Sequence, residues 1–211
     1  IHPYHAKRIV PMFTEDEVAK IKEVLSSSCV SHRDAAIFLL GLTTGMRAVD
    51  VINLRLSDID WKNETIFFQQ SKTGNAVCLP LTTDIGNSIY RYILEERPKV
   101  NDDHVFLRSQ APFMPLSGHS ACYCIVSNIL QRAGIQKDDR IWGMCMLRHN
   151  AASTMVQNSI PLATIAAILG HAGTRTTDIY ITADINNLKE CVLPLSLIHI
   201  SEPTRLRCIS Y

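Results

Sequence analysis

Helical periodicity, interrupted by start and stop signals, is the feature that most constrains how this chain can fold. The segment from Thr14 to Glu17 has the spacing of a capping box, and apolar residues follow it at helical intervals. A second helix is predicted from Ser31 to Gly45, because glycine readily adopts the positive φ that ends a helix. The same criteria predict five more helices, at residues 48–54, 83–97, 117–133, 147–157 and 161–169.

Strand signals are much fewer. Residues 65–68 and 76–79 have strand character and flank the turn from Lys72 to Asn75, which predicts a hairpin with Lys72 near its turn. Residues 105–107 predict one more short strand. A few strands among many helices predict a mostly α domain of the α+β class, a helical bundle with one small antiparallel sheet.

Composition narrows the class of protein without naming a function. The 211 residues suit a single domain, and 46% hydrophobic with 19% charged residues is typical of a globular protein. No apolar run of about 18 residues is present, and the basic start of the chain lacks the pattern of a signal peptide, so we expect a cytoplasmic protein without membrane association. Seven scattered cysteines indicate reduced thiols, and the net charge of +1 gives no basic footprint for nucleic acid.

Four motifs occur in a fixed order along the chain. They are Thr44-Gly-Met-Arg47, Ser71-Lys72-Thr-Gly, Leu147-Arg148-His149-Asn-Ala-Ala-Ser153, and Leu169-Gly-His171 followed by Tyr180. The ordered set resembles the tyrosine recombinases, or phage integrases. That family has an Arg after a Thr-Gly turn, a Lys on a β-hairpin, His-x-x-Arg, Leu-Gly-His, and then a Tyr. The resemblance covers about residues 11–189 and implies the family's catalytic-domain fold.

The residue types suit cleavage of a phosphodiester without a metal ion. Tyr180 is the predicted nucleophile, since nearby cations favour the ionised form of a phenol. Arg47 and Arg148 each offer a charged fork that matches two phosphate oxygens and stabilises the transition state. The resemblance assigns Lys72 as the general acid toward the leaving 5′ hydroxyl, and His171 as a hydrogen-bond donor to a phosphate oxygen.

The resemblance also implies a function. We expect a site-specific recombinase, an integrase or transposase of a mobile element, that works through a 3′-phosphotyrosyl intermediate and a Holliday junction without ATP, metal or another cofactor. Its partner would be double-stranded DNA, on which it would form a homotetramer, with a monomer in isolation. Residues 1–13 would be the linker from an amino-terminal core-binding domain absent from this sequence, 14–193 the catalytic domain, and 194–211 a non-native or disordered tail.

One position departs from the family pattern. Cys145 stands where the family's His-x-x-Arg motif has its histidine. A thiol is a weak hydrogen-bond donor and a poor acid or base near neutral pH unless its pKa is lowered, so we predict reduced rather than abolished cleavage. His149 is no substitute, because it follows Arg148 directly and points about 100° away from it on a helix.

Three other interpretations compete with this one. The Cys145 substitution would also suit a catalytically weakened or silent DNA-binding or regulatory module of the same fold. A type IB topoisomerase shares the chemistry, although the short interval between Leu-Gly-His and Tyr180 favours an integrase. A metal site is the third possibility and lacks the second ligand pair that structural zinc requires. Its candidate ligands would be His119, Cys122, Cys124, Cys145 and His149.

Overall fold

Seven α-helices and a three-stranded sheet make up most of residues 13–137 and 142–170, the part of the chain that the computed structural model describes. The helices are α1 (Glu15–Ser26), α2 (His32–Leu39), α3 (Ala48–Ile52), α4 (Thr83–Arg91), α5 (His119–Arg132), α6 (Met144–Gln157) and α7 (Leu162–Leu169). The strands are β1 (Ile59–Asp60), β2 (Thr65–Gln69) and β3 (Ala76–Pro80). The predicted mostly helical fold with a small antiparallel sheet is therefore confirmed.

The helix signals identified in the sequence act as expected. Thr14 and Glu17 form the capping box of α1, with Thr14 Oγ1 accepting from Glu17 N at 3.2 Å and Glu17 Oε2 accepting from Thr14 N at 2.9 Å. Gly45, at φ +67°, ends the predicted second helix, which consists of α2 and a π-helical turn over Leu40–Thr44. A similar π-helical turn, Tyr92–Glu96, extends α4.

The sheet has the order β1-β2-β3 and is antiparallel throughout. Side chains alternate across β2, where Ile66 and Phe68 are buried and Phe67 is 55% exposed, so one face of the sheet joins the core. The turn at residues 70–75 and the turn at residues 61–64 lie at opposite ends of the sheet, because β2 runs from one to the other.

Three elements differ from the predictions by more than two residues at an end or in their existence. The strand predicted at residues 105–107 is wrong: this segment forms only an isolated bridge, between Leu107 and Pro115. Its three apolar residues are fully buried, so burial and not strand pairing explains the pattern. Strand β1 was missed because it has two residues. Helix α6 begins at Met144, three residues before the predicted start at Leu147.

The core is continuous from the helices to the sheet. Helix α2 lies at its centre, with residues 35–39 all buried, and packs against α4 and α5. Helix α6 packs against the π-helical turn after α2 and against α7. This packing brings the start of α3, the middle of α6 and the end of α7 together. None of the described helices has the length and apolar character needed to cross a bilayer.

Candidate active site

Arg47 lies directly after the turn that ends the second helix. It is the N-cap residue of α3, and its side chain is 17% exposed. Its Nη2 donates to the carbonyl oxygen of Gly170 at 2.8 Å, and its Nη1 donates to Gln70 Oε1 at 3.3 Å. The turn requires glycine at position 45, since φ is positive and a Cβ there would lie 2.8 Å from Leu169 Cδ2.

Arg148, on α6, reaches the same place from the other side. Its Nη1 donates to the carbonyl oxygen of Gly45 at 2.8 Å, and its Nη2 donates to the carbonyl oxygen of Leu169. The two guanidinium groups therefore bind consecutive carbonyls, those of Leu169 and Gly170, at the end of α7. Carbonyls at a helix carboxyl end carry partial negative charge, which favours cations there.

The electrostatics of this arginine pair favour an anion. Burial lowers the pKa of Arg148 to about 10, with a further contribution from the positive charge of Arg47. The guanidinium still stays charged at neutral pH, because that pKa lies well above 7. Two partly buried like charges repel each other, and a phosphate between them would relieve the repulsion while accepting hydrogen bonds from both forks.

Asp50 is a site residue that the sequence reasoning missed. Its side chain is 1% exposed, and its Oδ2 lies 3.9 Å from Arg47 Nη1. Its Oδ1 accepts from the backbone N–H of Ser71 at 2.8 Å, so this carboxylate connects Arg47 to the turn that carries Lys72. The available signal was its position three residues after Arg47 at the start of a helix, a spacing at which opposite charges pair.

Lys72 is exposed in the turn between β2 and β3, as predicted. The turn is closed by backbone hydrogen bonds from Gly74 N to Gln70 O at 2.8 Å and from Gln70 N to Asn75 O at 2.9 Å. Asn53 Nδ2, just after α3, donates to Ser71 Oγ at 3.2 Å. The base of the turn is thus attached to the same region as Arg47, while Lys72 itself is exposed.

Cys145 is exposed in the first turn of α6 and is a free thiol. It precedes Arg148 by three residues, so the two side chains lie on one face of the helix, one above the other. A negative charge on the Cys145 thiol would raise the pKa of Arg148, which places the two groups within electrostatic reach. His149 is exposed on a different face, consistent with the expectation that it does not replace the missing histidine.

Two predicted site residues, His171 and Tyr180, lie outside the described residues, as do residues 1–12 and the tail at 194–211. Gly170 ends α7 in the left-handed region at φ +61°, and His171 follows it in the sequence. The structure thus brings together Arg47, Arg148 and the base of the Lys72 turn at the point where the chain leads into His171.

The alternative metal ligands do not form a cluster in the described part of the chain. Among residues 13–137 and 142–170, the group whose potential ligand atoms lie within 4.8 Å of one another is Asp102, Asp103 and His104. Cys122 is buried in the core, and this burial raises the pKa of its thiol to about 11. A buried neutral thiol of this kind serves packing.

A helical domain with two arginines and a lysine-bearing hairpin at one helix end is the architecture of a tyrosine recombinase catalytic domain. Residues 11–187 match the profile of the phage integrase family, and the chain belongs to this family. The resemblance stated from the four motifs is thereby confirmed.

Known proteins of the family align over most of the chain. It is 32% identical over 174 residues to y4rF of Sinorhizobium fredii, a protein assigned as an integrase/recombinase; this covers 82% of the chain and 41% of y4rF. It is 28% identical to the tyrosine recombinase XerA of Pyrococcus furiosus, over 90% of the chain and 64% of XerA. The chain thus spans about half the length of such relatives.

Solved structures show the same fold. A crystal structure of XerA recombinase superposes with a TM-score of 0.66 at 25% identity, covering 90% of this chain and 65% of that one. The XerH site-specific recombinase, in a pre-cleavage complex with its difH substrate, gives a TM-score of 0.65 at 26% identity, covering 90% of this chain and 56% of XerH.

Proposed function

We propose that this chain carries the catalytic centre of a site-specific DNA recombinase that cleaves and rejoins DNA through a covalent tyrosine link. The observation that carries the proposal is the convergence of Arg47 and Arg148 at the end of α7, beside the anchored base of the Lys72 turn. The names of the relatives support it, since they are described as integrases and recombinases, and XerH was captured with its DNA substrate.

In the proposed reaction, the Tyr180 oxygen attacks the scissile phosphorus and loses its proton to solvent. The bond from phosphorus to the 5′ oxygen breaks, and Lys72 gives a proton to that leaving oxygen. Arg47 and Arg148 hold the non-bridging oxygens of the phosphate. Each guanidinium has five N–H donors, and only some of them are bonded to the backbone carbonyls described above. His171 adds a hydrogen bond to a phosphate oxygen.

The product is a 3′-phosphotyrosyl link and a free 5′ hydroxyl. The phosphoester energy is retained in this link, so attack by another 5′ hydroxyl reverses the step and joins new partners without ATP. We propose that four protomers on double-stranded DNA perform this exchange in pairs through a Holliday junction. We also propose that the DNA they recombine belongs to a mobile element.

The test uses nicked duplexes of randomised sequence mixed with the protein, followed by denaturing electrophoresis. We expect a covalent protein–DNA band that disappears in Tyr180→Phe and persists in Tyr123→Phe, a control at an exposed tyrosine on α5. Sequencing the trapped DNA then gives the target site. Reversible DNA binding without a band in both the unaltered protein and Tyr123→Phe would contradict a cleaving enzyme.

A second candidate function, a silent DNA-binding module, is favoured by one observation. Cys145 occupies the family's histidine position, exposed and on the same helix face as Arg148. The two candidates differ in one outcome, because only an impaired enzyme gains activity when histidine is restored at position 145.

A further inference from the structure

Gln70 is a buried amide at the end of β2, next to the turn that carries Lys72. Its side chain is 3% exposed, although glutamine is normally found at the surface. Its Oε1 accepts from Thr73 Oγ1 at 2.8 Å and from Arg47 Nη1 at 3.3 Å, and its Nε2 donates to the carbonyl oxygen of Ile168 at 3.3 Å. One side chain therefore contacts the lysine turn, an arginine of the proposed site and the end of α7.

The contact with α7 leaves no space for a side chain at position 170. A Cβ on Gly170 would lie 1.6 Å from Gln70 Oε1 and 2.6 Å from Nε2, so the amide lies directly over the glycine. The backbone of Gln70 also closes the lysine turn, through its bonds with Gly74 and Asn75. The same residue thus fixes the base of the turn and orients it against the helix end that leads into His171.

We infer that Gln70 is a positioning residue, which sets the location of the Lys72 turn relative to the arginine pair and thereby aligns the proton donor with the scissile phosphate. The inference rests on the proposed function. Lys72 is exposed and long, so the anchoring of its turn determines where its amine reaches. Misplacement of a catalytic group by about 1 Å can cost about 100-fold in rate.

The test asks whether loss of Gln70 impairs protonation of the leaving group. It uses the intact chain and two versions of the nicked duplex carrying the selected site, one with the normal 5′ oxygen and one with sulfur in its place. A thiolate is a much weaker base than an alkoxide and leaves without a proton, so the sulfur substrate does not need Lys72. The rate of covalent complex formation is measured on both.

The variant is Gln70→Met, which keeps the length of the side chain and removes its hydrogen bonds. We expect it to slow cleavage of the oxygen substrate by about 10- to 100-fold, and cleavage of the sulfur substrate by less than about 3-fold. Gln131→Met is the matched control, because Gln131 is an exposed glutamine on α5, outside the lysine turn. We expect that control to stay within about 3-fold on both substrates.

A second variant keeps the test valid if Gln70→Met fails to fold. Thr73→Val removes one partner of the Gln70 amide at a half-buried position in the turn, and we expect a smaller defect with the same preference for sulfur. The inference would be overturned if Gln70→Met and Thr73→Val slowed cleavage of both substrates equally, or if neither variant slowed cleavage of the oxygen substrate. If the unaltered protein formed no complex with either substrate, the proposed function would fail first and the inference with it.

Discussion

Arg148 and Arg47 act as a pair because both bind the same helix end. Lysine keeps the charge but has no planar fork, so it cannot hold a backbone carbonyl and a phosphate oxygen in one plane. We expect Arg148→Lys to lower the rate of covalent complex formation by about 100-fold or more. The measurement is single-turnover cleavage of the selected site, with Arg108→Lys as a control at an exposed loop arginine. An unchanged rate in Arg148→Lys would exclude it from the chemistry.

At Cys145 we predict a substitution that raises the rate of cleavage instead of lowering it. We expect Cys145→His to raise the rate of covalent complex formation, because imidazole is a better hydrogen-bond donor than a thiol on the face that carries Arg148. Cys124→His, at an exposed cysteine on α5, controls for adding a histidine to the surface. An unchanged or lower rate in Cys145→His would count against an active site impaired by this cysteine, and no covalent complex with either protein would favour the silent module.

For individual residues, the sequence indicated the charged side chains of the site but not the residues that form hydrogen bonds with them. Arg47, Lys72 and Arg148 belong to short motifs with characteristic spacing, and the structure places the two arginines and the base of the Lys72 turn at one helix end. Gln70 carried no such signal, because its meaning depends on contact with Ile168, which is 98 residues away in sequence. Contacts of this kind arise only from the folded packing, so a single sequence does not reveal them.

Among the elements, the small sheet offers a matched pair of lysines. Lys72 and Lys62 are both exposed in turns but lie at opposite ends of β2, whose five residues span about 17 Å. We expect Lys72→Ala to reduce cleavage by about 100- to 10,000-fold, as for loss of a general acid, and Lys62→Ala to have little effect. Single-turnover rates measure both. Equal effects would mean that Lys72 contributes only general attraction to DNA.

The end of α7 provides a second matched pair. Gly170 and Gly74 both have positive φ, +61° and +70°, but a Cβ at 170 would collide with Gln70 whereas a Cβ at 74 meets nothing within 4 Å. We expect Gly74→Ala to cost about 1 kcal/mol of backbone strain, and Gly170→Ala to cost clearly more, with loss of cleavage. Chemical denaturation gives the two free energies of unfolding. Equal losses of the free energy of unfolding in the two variants would show that the Gln70 amide moves aside easily.

Element prediction succeeded where local signals and burial agreed. The capping box of α1 and the glycine stop after α2 are local, and both were predicted from the sequence. The error at residues 105–107 arose because a buried loop and a buried strand share an apolar pattern. Strand β1 escaped notice because two residues are too few to show alternation, and it exists only through pairing with β2.

For the whole domain, the arginine pair predicts a response to anions. The net charge is only +1, so general attraction to phosphate is weak and a specific effect should come from the site. We expect inorganic phosphate at 100 times its Kd to raise the free energy of unfolding by up to about 2.7 kcal/mol, and therefore to raise the Tm relative to chloride at equal ionic strength. Thermal unfolding measures this. Arg148→Gln should reduce the difference to the general stabilisation that phosphate gives any folded protein, and an undiminished difference there would contradict anion binding by the arginine pair.

Hydrogen bonds to main-chain carbonyls hold both arginines, and this affects which positions of the chain can change during evolution. A carbonyl is present whatever residue occupies its position, so the bonds that hold Arg47 and Arg148 do not depend on the side chains at 169 and 170. What must be inherited unchanged is the path of the chain, which Gly45 and Gly170 fix by their left-handed conformation and lack of a side chain. A lineage of this domain can therefore alter the apolar sequence of α7 and still keep the arginine pair in place.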